Sequence, residues 1–311
     1  KYSLINIMNI DNAHEKVLGE HSKSFHWASK LFPRKQRDSI SLLYFFCRTL
    51  DDLADEKDKN NSRLLRDFKE RIINETRPEK GSNNFKRLQS AYHSLGLNKE
   101  VSSHLLDGLI SDQETVQIKD EKELVEYCYR VAGTVGLLMC PILGCKGKEA
   151  LKFAVDLGVG MQMTNIARDV FEDSNLDRRY LPGTWLDSMT TREIRESSQH
   201  PYSDSHRKIR IAIHRLLDLA QQYYESGRQG LSYLPLRSRF GIAVASNIYQ
   251  DIGKKIRSKH FDWGKSRAYT TLFDKILATI FSTKYLMDVR QTNPKHSAIL
   301  HHHLKDFKRS W

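Results

Sequence analysis

An apolar rhythm of three to four residues runs along almost the whole 311-residue chain. That period groups side chains on one face of a helix and cannot line one face of a strand, so it restricts the fold more than any other feature. It predicts helices near 11–30, 35–55, 62–75, 83–94, 99–109, 121–139, 147–174, 191–197, 205–225, 231–257 and 269–289, with no alternating strands. Short polar loops such as "KDKNNS" and "TRPEKGSNN" separate them, and no linker is long enough to divide the chain. With 7 Pro, 16 Gly, 39% hydrophobic and 28% charged residues, the composition suits a helix-rich globule. One all-α domain over 1–311 is expected, ending in a basic tail, 291–311.

Two stretches break the usual economy of a helix surface. In "YFFCRTLDDLADE" (44–56), helical geometry stacks Asp51 and Asp55 one turn apart, with Tyr44 and Arg48 on the same side. In "TNIARDVFED" (164–173), Asn165, Asp169 and Asp173 continue a stripe that begins at Gln162, with Arg168 alongside. Like charges at i, i+4 cost a helix a few tenths of a kcal/mol, about 0.2–0.5 per pair. One such run alone reads as a solvated helix end with local ion pairs. Two runs, each with DxxxD spacing, an arginine and an apolar setting, point instead to Mg²⁺ and diphosphate, because Mg²⁺ takes hard oxygen ligands and leaves room for substrate phosphate. Arg48, Arg168 and Arg178 suit direct contact with phosphate oxygens.

A net charge of +12 and a pI near 9.4 imply an anionic partner without saying which. A nucleic-acid binder would gather its basic residues on one face among aromatics. Here they are spread among acids, as in "RLLRDFKERIINETRPEK", and no nucleic acid is expected. Four cysteines without metal-ligand or disulfide spacing suggest a reducing compartment. "KYSLINIMNIDNAHE" does not read as a secretory signal, and "VAGTVGLLMCPILGC" (131–145) is too short to span a bilayer. A cytoplasmic protein is expected, with peripheral contact on the inner face of the membrane through basic amphipathic helices; an ordinary solvated surface explains those helices equally well. "HHH" at 301–303 reads as a solvated helix face, and Gly158 and Gly160, inside a helix and lacking a third glycine, do not make a dinucleotide loop.

"DDLAD", "DVFED", "HSKSF" (21–25), "YCYRVAGTVG" (127–136), "NIARD" (165–169) and "RRYLP" (178–182) occur together and in order. The set resembles the squalene and phytoene synthase family over about residues 14–290, and the bacterial phytoene synthases most. The resemblance implies an all-α isoprenoid synthase fold around a central cavity. It also implies Mg²⁺-dependent head-to-head joining of two prenyl diphosphates through a cyclopropylcarbinyl diphosphate, with Mn²⁺ as an alternative ion. Carried over by motif, Asp51, Asp55, Asp169 and Asp173 are the metal-binding acids, with Asp52 a less secure ligand. His21, Ser22, Ser24, Tyr44, Arg48, Gln162, Asn165, Arg168, Arg178 and Tyr249 become diphosphate partners. Tyr127 matches a tyrosine given acid–base or carbocation-steering work.

Ionising an allylic C–O bond needs cations at the leaving group and aromatic or apolar surface around the carbocation. Phe25, Tyr44 and Tyr127 are candidates for that surface, although each also reads as an ordinary core aromatic. Val131, Ala132, Val135 and Gly136 offer a surface for a prenyl tail, and close helix packing explains the same small residues equally well. Ser29, one turn beyond Phe25, leaves space for a longer tail.

Geranylgeranyl diphosphate going to phytoene is the expected reaction, without NADPH; downstream carotenoid enzymes are conceivable partners. Farnesyl diphosphate going to dehydrosqualene or squalene is the alternative. A binding protein that has lost activity would show degraded acidic motifs, and both motifs are intact.

Overall fold

The computed structural model describes residues 23–56, 58–75, 83–264, 267–287 and 294–311. His21 and Ser22 lie outside the described residues. The helices are α1 (Lys23–Ser29), α2 (Arg34–Asp55), α3 (Lys59–Asn74), α4 (Asn83–Leu95), α5 (Lys99–Ser111), α6 (Glu121–Cys128), α7 (Thr134–Leu143), α8 (Glu149–Asn175), α9 (Thr191–Ser197), α10 (Asp204–Gln229), α11 (Leu236–Ser258), α12 (Leu272–Ser282) and α13 (Lys284–Met287). The expected all-α class holds.

Local chemistry sets the helix boundaries. Pro33 and Pro235 enter α2 and α11 in extended conformation, which their rings favour. Asn98, Asp120 and Ser203 accept hydrogen bonds from backbone N–H groups in the first turns of α5, α6 and α10. Thr190 and Thr271 form reciprocal capping boxes with Glu193 and Asp274. Gly144 ends α7 at φ +73°, a conformation that costs glycine little.

Three features depart from the sequence expectation. The helix expected over 121–139 is interrupted by a π-helical turn, Tyr129–Gly133, between α6 and α7. Such a turn takes in extra backbone without ending the helix, so the apolar period does not reveal it. A two-residue parallel bridge pairs β1 (Val116–Gln117) with β2 (Arg178–Arg179) and draws "RRYLP" against the end of α5. The C-terminal segment is a 3-10 helix (Ala298–Ser310) that is not wholly solvated, since Leu304 and His301 are buried.

Helix α8 is the central pillar, packed against α10, α7, α11 and the π turn. One cluster of buried side chains joins Leu43 and Phe46 of α2, Leu105 of α5, Val155 and Met163 of α8, Leu216 of α10 and Phe307 of the C-terminal segment. Two glycine contacts set how closely α8 approaches α7 and the π turn. A Cβ on Gly136 would fall 2.3 Å from the Ala154 carbonyl oxygen, and one on Gly158 would fall 2.3 Å from that of Ala132. Close helix packing therefore accounts for both glycines, and both also line the cavity described next. None of the described helices is long and apolar enough to cross a membrane.

Candidate active site

A cavity of about 980 Å³ opens between these helices, at the upper end of the range for small-molecule sites, roughly 300–1,000 Å³. Its lining is ordered along the two helices that carry the acidic motifs. On α2, Ile40 and Leu43 line it first, then Tyr44, Arg48 and Asp51; on α8, Ala150, Ala154, Leu157 and Met161 come first, then Gln162, Asn165 and Arg168. Both walls pass from apolar to polar towards their C-terminal ends. From Ala150 to Arg168 the α8 wall is about 27 Å long at 1.5 Å per residue.

Aromatic and small side chains complete the lining. Phe25 packs on Tyr249 at 5.3 Å and on Tyr44 at 6.5 Å between ring centroids. Val131, Ala132 and Val135, from the π turn and the start of α7, face the cavity together with Gly136, Tyr127 and Ser24. Ser29 does not line it. Its side chain is buried, and Oγ donates to the His26 carbonyl at 2.8 Å, so the hydroxyl is taken up by its own helix turn.

The acids meet arginines at the polar end. Arg48 donates to Asp51 at 3.1 Å and also pairs with Asp52. Asp169 is held by Arg168 at 2.7 and 2.5 Å and by Arg267 at 2.7 and 2.9 Å. Arg178 donates to Asp55 at 2.7 Å and to the Asp112 carbonyl at 3.1 Å, tying the end of α2 to the end of α5. Asp173 shares a small cleft with Arg178. Its neighbour Arg179 is structural, giving Nη1 to the carbonyls of Ile118 and Leu181, both at 2.8 Å. The ideal stripe from Gln162 to Asp173 is broken at Asp169, whose φ −106°, ψ 15° kinks α8 at the acid itself.

Burial and mutual repulsion keep several carboxyls protonated beyond their usual range. Burial, with Asp55 adding, lifts Asp51 to about 6; burial and then Asp169 lift Asp173 to about 8. Asp112 rises to about 7 through burial, although Arg178 and two hydrogen bonds oppose the shift. Asp51 keeps 44% of its side chain exposed, so solvent screens it more than Asp112, which is 6% exposed. Burial also pushes the Tyr44 hydroxyl up to about 12 and that of Tyr127 well above its ordinary value.

Asp112 was not apparent from sequence. Its carboxylate accepts from Tyr127 at 2.9 Å and Tyr180 at 3.0 Å, whose rings stack 4.7 Å apart. Tyr180 sits inside the "RRYLP" motif and could have been found there. Asp112 has only Glu114 as an acidic neighbour in "LISDQETV", and Arg267 is one of two basic residues in "WGKSRAYT", so neither carries a local signal.

The polar end of the cavity thus gathers Asp51, Arg48, Arg168 and Arg267 in an all-α fold. The sequence model for "Squalene/phytoene synthase" matches residues 18–274. The chain belongs to this family. It is 31% identical over 276 residues to a phytoene synthase of Pseudescherichia vulneris, covering 84% of this chain and 87% of that one. It is 35% identical over 246 residues to a 15-cis-phytoene synthase of Enterobacter agglomerans, covering 76% and 82%. A crystal structure of a dehydrosqualene synthase in complex with ligand superposes with a TM-score of 0.76 at 25% identity, covering 90% of this chain and 97% of that one. The chain is a prenyltransferase of the phytoene synthase type, acting on a prenyl diphosphate.

Proposed function

We propose that the chain joins two molecules of geranylgeranyl diphosphate head to head, through a cyclopropylcarbinyl diphosphate, to give phytoene and two diphosphates. The observation that carries this reading is the graded cavity, whose charged end is built largely from both acidic helices while most of its remaining wall is apolar.

The residues present fit magnesium. Asp51, Asp55, Asp169 and Asp173 offer hard oxygens, with Asp52 a further acid, and the buried Asn165 Oδ1 has no hydrogen-bond partner. When bound, Mg²⁺ would neutralise diphosphate charge as the allylic C–O bond ionises; Mn²⁺ satisfies the same donors. The chain's own groups do the rest. Arg48, Arg168 and Arg267 line the cavity and can exchange their carboxylate partners for diphosphate oxygens, and Ser24, Tyr44, Gln162 and Tyr249 line the same end. Arg178 holds Asp55 and serves the diphosphate from the neighbouring cleft.

Phe25, Tyr44 and Tyr249 give the carbocation aromatic surface, and the wall formed by Val131, Ala132, Val135 and Gly136 holds the prenyl chains away from water. Tyr127, whose hydroxyl donates to Asp112, steers the later rearrangement and proton loss in this reading. No hydride donor enters this route, so NADPH is not required.

Peripheral attachment to a membrane belongs to the same reading. Leu272 lines the cavity and is exposed, and α12 turns Phe273, Ile280 and Phe281 outward beside it, so a departing hydrocarbon would meet an apolar surface. The likeness to a dehydrosqualene synthase favours farnesyl diphosphate as the second reading. Purified protein given Mg²⁺ and either diphosphate, with and without NADPH, separates the two by the mass of the extracted hydrocarbon. A C40 product formed without NADPH supports phytoene synthesis, and a C30 product from farnesyl diphosphate alone replaces it with the squalene branch.

A further inference from the structure

Behind the cavity wall, α8 carries a second cluster that the synthase chemistry does not use. The lining residues Ala154 and Gly158 face the cavity, whereas Asp156, two residues from each, points away and is 0% exposed. Its Oδ1 accepts from His301 Nε2 at 2.6 Å, and its Oδ2 accepts from His296 Nε2 at 2.7 Å and Ser226 Oγ at 2.5 Å. Both histidine side chains are 2% exposed, and their rings lie 4.2 Å apart between centroids. One ligand atom from each of the three residues can be chosen so that all lie within 4.8 Å of one another.

We propose that Asp156, His296 and His301 bind one transition-metal dication of the zinc class and so fasten the C-terminal segment to the back of α8. Two imidazole nitrogens and a carboxylate suit zinc and its neighbours, not magnesium, which prefers oxygen. His296 and His301 stand in the H-x4-H spacing common for paired zinc histidines. Ser226 supplies the outer hydrogen bond that ligating carboxylates ordinarily receive. A fully buried carboxylate also needs a countercharge, and with two histidines and a serine as its partners among the described residues, only an imidazolium or a bound cation can supply it. Binding through Nε2 requires each ring to give up its proton there, by release or by transfer to Nδ1.

The consequence is mechanical. The fastened segment places Phe307 4.7 Å from Tyr129 in the π turn, while Trp311 packs on His301 at 4.8 Å. Tyr223 donates to the Leu300 carbonyl at 2.8 Å, holding the same segment to α10.

The full chain, stripped with a chelator and titrated with Co²⁺, reports the site through the ligand-field bands of a nitrogen-coordinated ion. One equivalent with these bands is expected in the wild type and in Asp169→Asn, which alters only the other acidic site. His296→Gln and His301→Gln should lose the bands, and Ser226→Ala should weaken Co²⁺ binding by about 10–100-fold. Zn²⁺ should raise the melting temperature of the wild type but not of His301→Gln. Absence of the bands in folded wild type, or their persistence in both histidine variants, would overturn the proposal and leave hydrogen bonds and packing to hold the segment. If a histidine variant fails to fold, the wild-type spectrum still gives the answer.

Discussion

Tyr127 donates its hydroxyl hydrogen to Asp112 at 2.9 Å, and Tyr180 donates to the other oxygen of the same carboxylate at 3.0 Å. A tyrosine from a recognisable motif is thus positioned by an acid that no motif marks. Tyr127 also lines the cavity, whereas Tyr180 lies in the neighbouring cleft. The pair separates a chemical role from a structural one. Tyr127→Phe and Tyr180→Phe should each destabilise the protein by about 1–3 kcal/mol, because a buried acceptor loses its donor. Only Tyr127→Phe should let the first ionisation proceed while the cyclopropylcarbinyl diphosphate accumulates, which mass analysis of quenched reactions would show. An unchanged product profile in Tyr127→Phe would remove it from the chemistry.

Asp51→Asn and Asp169→Asn keep side-chain shape and remove one proposed anionic metal ligand each. Each should cut turnover by at least about 10²-fold, the scale of losing one electrostatic stabiliser of the transition state. Circular dichroism should stay close to wild type, since relief of repulsion between the acids offsets part of the ion pairing that Asp51 loses with Arg48 and Asp169 with Arg168 and Arg267. Turnover at the wild-type rate in both variants would contradict the metal assignment.

The raised carboxyls make the metal-free protein sensitive to pH in an unusual direction. Asp112 at about 7 and Asp173 at about 8 lie above the ordinary unfolded value for aspartate, about 3.9. Between those limits the folded state binds more protons than the unfolded state, so stability falls as pH rises from about 4 to 8. Melting curves without divalent metal should show that decline, and Asp112→Asn, neutral at every pH, should remove the Asp112 share of it, between about 4 and 7, and leave that of Asp173. A stability that rises across the same range would show that these acids are ionised in the folded protein.

Gly136→Ala places a Cβ 2.3 Å from the Ala154 carbonyl oxygen, so α7 and α8 must separate. Overpacking of this kind costs about 1–3 kcal/mol. A lowered denaturant midpoint is the expected result, and Gly158→Ala should match it from the opposite helix.

Much of the site was legible because helical geometry is local. Tyr44, Arg48 and Asp51 share a helix face by spacing alone, as do Gln162 and Asn165, and the structure puts all five on one cavity. What the spacing could not convey was backbone irregularity and partners brought from far along the chain. The π turn at Tyr129–Gly133 and the kink at Asp169 leave the apolar rhythm intact. Arg267 reaches Asp169 across 98 residues, and His301 reaches Asp156 across 145. The reading of "HHH" as a solvated face holds for His302, which is exposed, and fails for His301, which the tertiary fold buries on a carboxylate.

The most direct measurement is the ratio of diphosphate to hydrocarbon when purified protein turns over geranylgeranyl diphosphate in Mg²⁺. Head-to-head joining predicts two diphosphates for each C40 hydrocarbon, with both products abolished by a chelator. Diphosphate released with only a C20 alcohol or C20 alkene, and no C40 product, would show that the cavity ionises its substrate but does not join two of them, and would contradict the account.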